Sequence, residues 1–196
     1  MSLSRTFIAA AAVLAAGVSF AQAATPTDAS AQVTQRQANQ QQRVENGLKN
    51  GSLTVKEAGR IERGEAALDR TIARDAANGI SPREQAVINK RENALSREIA
   101  NDTHNAQRGN PGGASNQRLQ ADVQRNANQD QRVANGVKSG QLTNKDVAGL
   151  ERGQARVDRK EARAAGNGHV TAGEQARVQR AEKRQSRRIR NERKAG

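Results

Sequence analysis

Oxygen-bearing side chains recur around the turns of this 196-residue chain at spacings that could surround a cation. Asn46, Asn50 and Glu57 flank the first turn, Asn135, Ser139 and Asp146 the third, and Asn167 and Glu174 the fourth. Each of these turns supplies one carboxylate, whereas a hard cation needs several oxygen ligands, preferably charged. His104 and His169 are the only histidines. They fall at a helix end and in a turn, and neither has a neighbouring ligand set of the zinc type. Cysteine is absent, and there is no GxSxG and no phosphate-cradling glycine loop. Glu62, Glu65 and Asp69 stand beside Arg or Lys at helical spacing and are expected on the helix surface, where such pairs add slight stability. The expectation is therefore no enzyme and no cofactor. No metal site is expected either; Asn46, Asn50, Glu57, Asn167 and Glu174 are named as calcium candidates, and helix capping explains them better.

Charge gives the sharpest chemical asymmetry. Residues 32–105 carry 12 Lys/Arg against 10 Asp/Glu, whereas residues 116–196 carry 19 against 9. The excess gathers at Arg177, Arg180, Lys183, Arg184, Arg187, Arg188, Arg190, Arg193 and Lys194. At about 100° per residue, Val178, Ala181, Gln185 and Ile189 form a narrow stripe and the basic residues fill most of the remaining circumference. The first half has Leu95 where Gln185 stands, so the second half is expected to exchange core for charge. A surface this basic attracts polyanions by long-range fields and counterion release. Outside the cytoplasm the partners implied are anionic phospholipid, lipopolysaccharide, acidic polymers or extracellular DNA; the bland reading is a solvated helix with no specific ligand. Beyond residue 23 there is no Trp, Phe or Tyr, which argues against base stacking, sequence-specific nucleic-acid readout and deep membrane insertion.

The elements that would position these residues are announced by repetition. Residues 41–72 read again at 130–161, which marks a duplicated folded unit. Four turns share one grammar: Gly51-Ser-Leu53-Thr54-x-x-Glu57, Gly79-Ile80-Ser81-x-x-Glu84, Gly140-Gln-Leu142-Thr143-x-x-Asp146 and Gly168-His-Val170-Thr171-x-x-Glu174. The glycine ends one helix, the aliphatic residue staples, and the Ser or Thr with the acid three places on caps the next helix. Pro82 suits a first helical position. This divides the chain into helices at about 33–49, 54–77, 82–103, 117–138, 143–166 and 171–194. The steps of seven and four at Ile61, Leu68, Ile72 and at Ile88, Leu95, Ile99 place each set on one face. The expected fold is all-α: two tandem homologous three-helix modules, 24–105 and 116–196, joined by a flexible linker at 106–115. Gly59, Gly64, Gly149 and Gly153 fall inside helices, where they either permit close contact or weaken the helix.

Beyond residue 23 only 24 Val, Leu and Ile are available for a core, a thin supply that alone would suggest disorder. Periodicity and capping argue for order. Residues 1–23, with Arg5, an apolar stretch from Thr6 to Phe20 and Ala21-Gln22-Ala23, have the layout of a cleavable secretory signal. A periplasmic or secreted protein of a Gram-negative bacterium is expected, with no transmembrane segment after cleavage.

Three resemblances attach to these motifs. The Gly, aliphatic and acid spacing of the turns is similar to a degenerate EF-hand loop, which would imply calcium binding. Leu53-Thr54-x-x-Glu57 and Leu142-Thr143-x-x-Asp146 resemble the LTxxQ motif of periplasmic Spy and CpxP-type proteins, which would imply a helical stress chaperone holding unfolded client proteins. Most of the chain beyond residue 23 resembles uncharacterised secreted proteobacterial proteins with tandem Gln/Arg-rich helices joined by NGxLTxxE turns, which implies architecture and export only.

Overall fold

Four of the five connections between helices are closed by a Ser or Thr capping box, and the fifth, ending at Gly113, has no side-chain cap. The structure, a computed structural model, describes residues 26–196; the expected signal segment, 1–23, lies outside the described residues. Six helices follow in order: α1 (Pro26–Asn50), α2 (Val55–Asp75), α3 (Pro82–His104), α4 (Ala114–Lys138), α5 (Asn144–Ala165) and α6 (Ala172–Ala195), with a 3₁₀ turn at Ala76–Asn78 after α2. No strand occurs among the described residues, so the chain is all-α. No described helix is long and apolar enough to cross a membrane. Thr54, Ser81, Thr143 and Thr171 each cap a helix, with Glu57, Glu84, Asp146 and Glu174 completing the boxes. Gly51 and Gly140 turn the chain at φ 75° and 76°, a conformation that disfavours any residue with a Cβ.

Gly47 and Gly136 do not end their helices. A Cβ at Gly47 would sit 2.6 Å from Leu53 Cδ1, and one at Gly136 would sit 2.7 Å from Leu142 Cδ1. These glycines leave room for the staple leucine folding back from the next turn, while the helix continues beneath it. α1 begins earlier than periodicity predicts. Ala29 and Val33 are buried, and Ser30 Oγ donates to Asn144 Oδ1 at 3.0 Å, so contact with the start of α5 sustains the extra turns.

The long packing partners join the two halves of the chain. α1 runs antiparallel to α4, linked by Gln35 with Gln131 and by Gln120 with Glu45. α2 runs antiparallel to α5, and α3 and α6 cover the outside. One apolar cluster draws residues from all six helices, from Val33 and Ile61 through Leu95 to Leu119, Leu150 and Ile189. Corresponding bonds recur in each half: Arg43 holds Ser96 as Arg132 holds Ser186, and Arg36 faces Glu92 as Arg125 faces Glu182. The segment expected as a linker lies against the first turn, where Gly109 N–H donates to Gly51 O at 2.9 Å and Pro111 packs over Gly51. Its last residues, Ala114 and Ser115, already belong to α4.

The in-helix glycines are contact points. Gly59 faces Ala165 of α5, Gly64 faces Leu95 of α3, and Gly153 faces Gln185 of α6. Gln185 is therefore not lost from the core. It is buried where Leu95 sits in the first half, and its Nε2 donates to Leu150 O at 2.8 Å.

Candidate functional site

The interior holds an unusual concentration of acid. Glu62, Glu65 and Asp69 lie on one face of α2, turned toward Glu151, Asp158 and Glu161 of α5, and Asp130 of α4 joins them; all seven are buried. This corrects the expectation that Glu62, Glu65 and Asp69 are surface residues. A signal for it was present. Position 65 is four after Ile61 and three before Leu68, so it lies inside the apolar stripe, and Glu161 stands likewise four after Val157.

Amides, not cations, serve five of these carboxyls. Gln37 Nε2 donates to Asp69 Oδ1 at 2.6 Å and to Glu151 Oε2 at 3.2 Å. Gln41 Nε2 donates to Glu62 Oε2 at 3.1 Å. Asn126 Nδ2 donates to Glu161 Oε2 at 2.6 Å and to Asp158 Oδ1 at 3.2 Å. Among the described residues no salt bridge reaches any of the seven. Burial accordingly pushes Glu62 and Glu151 up to about 7. It drives Glu65, Asp69, Asp130, Asp158 and Glu161 well above the ordinary carboxylate range, with their acidic neighbours adding to the effect. Glu92 and Glu182 also rise to about 7, burial outweighing Arg36 and Arg125 respectively, with Asp122 adding to the rise at Glu182. One oxygen each from Glu62, Asp158 and Glu161 lie within 4.8 Å of one another.

The second feature is on the outside of the second half. A groove of about 200 Å³ between α5 and α6 is lined by Arg156, Lys160, Arg184 and Arg188, with Gly153, Val157, Ala181 and Gln185 as its floor. Arg163 and Arg177 flank a second hollow beside Lys160 along the same helix pair. The corresponding positions of α2 and α3 are Ala67 and Thr71 for Arg156 and Lys160, and Val87, Ala94 and Glu98 for Arg177, Arg184 and Arg188. Arg91 stands in the place of Ala181 and Arg74 in that of Arg163, so the second half carries the larger share of this charge rather than all of it. The sequence reading found its α6 side and missed α5, because Arg156 and Lys160 are ordinary helix-surface residues until α6 lies alongside them.

The nine basic residues singled out on α6 do not share one fate. Arg177, Arg180, Lys183, Arg184, Arg187, Arg190 and Lys194 are exposed. Arg188 is partly covered, reaches over Gly149 and bonds Glu192. Arg193 is held by Gln141 Oε1 at 2.8 Å and 3.1 Å. On the other side of α6 a hollow of about 300 Å³ is lined by Arg125, Arg132 and Lys183. There Arg125 is committed to Asp122 and Glu182, and Arg132 to Ser186.

The turn candidates for calcium are engaged locally. Glu57 Oε2 accepts from Thr54 N–H at 2.9 Å and its Oε1 accepts from Asn105 at 2.7 Å. Glu174 accepts from Thr171 N–H, Asn50 Oδ1 from Ser52 N–H, and Asn167 Oδ1 from His169 N–H. Asn46 is exposed on α1. These bonds satisfy turn and cap donors. No protein-family profile, curated protein or solved structure matches this chain.

Proposed function

We propose that this chain is an exported, non-enzymatic protein in which two homologous three-helix units dock on each other. The second unit binds an anionic envelope component, lipopolysaccharide or anionic lipid, in the groove between α5 and α6. The observation that carries the reading is the cluster of Arg156, Lys160, Arg184 and Arg188 around that groove, where the first half has Ala67, Thr71, Ala94 and Glu98 at the corresponding positions and a single cation, Arg91, in the place of Ala181. Like charges brought together on two helices repel one another, and a phosphate group between them relieves the repulsion. Guanidinium groups also match phosphate oxygens bidentately.

A client-holding chaperone is the weaker alternative. Val87 is the one large apolar side chain exposed among the described residues, so a client would have to be held by charge. The test is cosedimentation with vesicles containing phosphatidylglycerol or lipopolysaccharide, at rising salt. Arg156→Glu with Arg184→Glu should reduce binding tenfold or more and flatten its salt dependence. Val87→Glu with Ala94→Glu, in the first half, should leave it unchanged. Equal binding by both double variants would overturn the assignment, and suppression of client aggregation with no vesicle binding would favour the chaperone.

A further inference from the structure

Three of the interior acids differ from the rest in how they meet. Glu62 of α2 and Asp158 of α5 face each other across the helix pair, and their counterparts in the internal repeat are Glu151 and Asp69. The third member, Glu161, has Ile72 as its counterpart. Both are fully buried, so an aliphatic side chain fits this environment, and the second half nevertheless places a carboxyl there. Glu62 and Glu161 each leave Oε1 without a hydrogen-bond partner in the interior. Asn126, also fully buried, directs its amide at Asp158 and Glu161 and leaves Oδ1 unpartnered. A half-turn of that amide would present Oδ1 to the same point, since the two ends of an Asn amide are nearly equal in shape.

We propose that Glu62, Asp158 and Glu161 form a buried site for one hard divalent cation of calcium size, with the Asn126 carbonyl oxygen as a further ligand. Three oxygens no more than 4.8 Å apart share a point within about 2.8 Å of each, so a small contraction reaches the roughly 2.3–2.6 Å of calcium–oxygen bonds. Magnesium, at about 2.0–2.1 Å with strict octahedral demands and tightly held water, fits a larger, dry set less well. The donor set is oxygen alone, which disfavours softer transition metals. This site is distinct from the turns, each of which offers a single carboxylate already used in a cap. Because it is enclosed, it fills as the chain folds, and its occupancy registers in stability.

The full-length protein, stripped with chelator and refolded with calcium chloride or magnesium chloride, tests this by thermal unfolding and by metal content after desalting. Calcium should raise the midpoint by about 5 °C or more at a hundredfold excess over its Kd, with one ion retained per chain and a smaller effect of magnesium. Glu161→Ile, which copies the residue of the other half, should abolish the rise and the retained ion while leaving the metal-free midpoint unchanged or higher. If Glu161→Ile does not melt cooperatively, Glu161→Gln, of the same shape and without charge, is read in its place. No rise and no retained calcium in the unaltered protein would overturn the proposal, as would calcium binding that the position-161 variant keeps in full.

Discussion

At Gly59, α2 and α5 approach closely. A Cβ there would lie 2.6 Å from Ala165 Cβ and 3.2 Å from its backbone carbonyl carbon, so the helix itself would have to move. At Gly173, near the start of α6, a Cβ would meet nothing within 4 Å. Gly59→Ala should therefore cost about 1–3 kcal/mol by overpacking. Gly173→Ala should gain about 0.5–1 kcal/mol from helix propensity. Urea midpoints of the two variants check this pair, and a stabilised Gly59→Ala would disprove the close contact. The sequence leaves the in-helix glycines open between close contact and weak helix, because the decision belongs to Ala165, on a helix far along the chain. Glu65 makes the same point. Its place within the apolar stripe is legible, but its lack of a cationic partner depends on which face of α5 it meets.

At the scale of the helix, what reads well is what is local. Each capping box is written within four residues, and all four are formed. Ser81→Ala should cost about 1 kcal/mol, the usual loss of an N-cap. Thr54→Ala should cost more, because Glu57 both completes that box and holds Asn105 at the end of α3. Equal losses in a urea titration would show that the Asn105 link adds nothing. The extent of α1 was less legible, since its first turns are held by Ser30 reaching Asn144 and by burial of Ala29 and Val33. The groove between α5 and α6 was half legible: the charge of α6 stands out, and that of α5 acquires meaning only beside it.

For the whole molecule, the buried acids predict an inverted acid response. Glu62, Glu92, Glu151 and Glu182 are raised from an ordinary 4.5 to about 7. The folded protein therefore binds more protons than the unfolded chain between these values. Their contribution is fully present below about 4.5 and is lost as pH rises through about 7. The facing cations, Arg36 at Glu92 and Arg125 at Glu182, moderate the rise without reversing it, and no salt bridge among the described residues reaches Glu62 or Glu151. Glu57, Glu84 and Glu174 are lowered and act in the opposite sense, but Glu84 and Glu174 sit in solvent-facing caps. In buffer with chelator, the melting midpoint should fall by about 5 °C or more between pH 5 and pH 8, at roughly 2–4 °C per kcal/mol for a chain of this size. A midpoint that rises over that interval would mean the acids are paired with charge in solution.

The existence of the six helices, the four capping boxes and the repeat follow from the sequence, because capping and apolar periodicity act over distances of one or two helical turns. Tertiary structure alone decided that α1 packs along α4 and α2 along α5, so that one core draws on both halves. It also decided that acids expected in water are enclosed. Helical periodicity assigns a residue to a face, and only the arrival of another helix determines whether that face meets solvent or a second row of carboxyls.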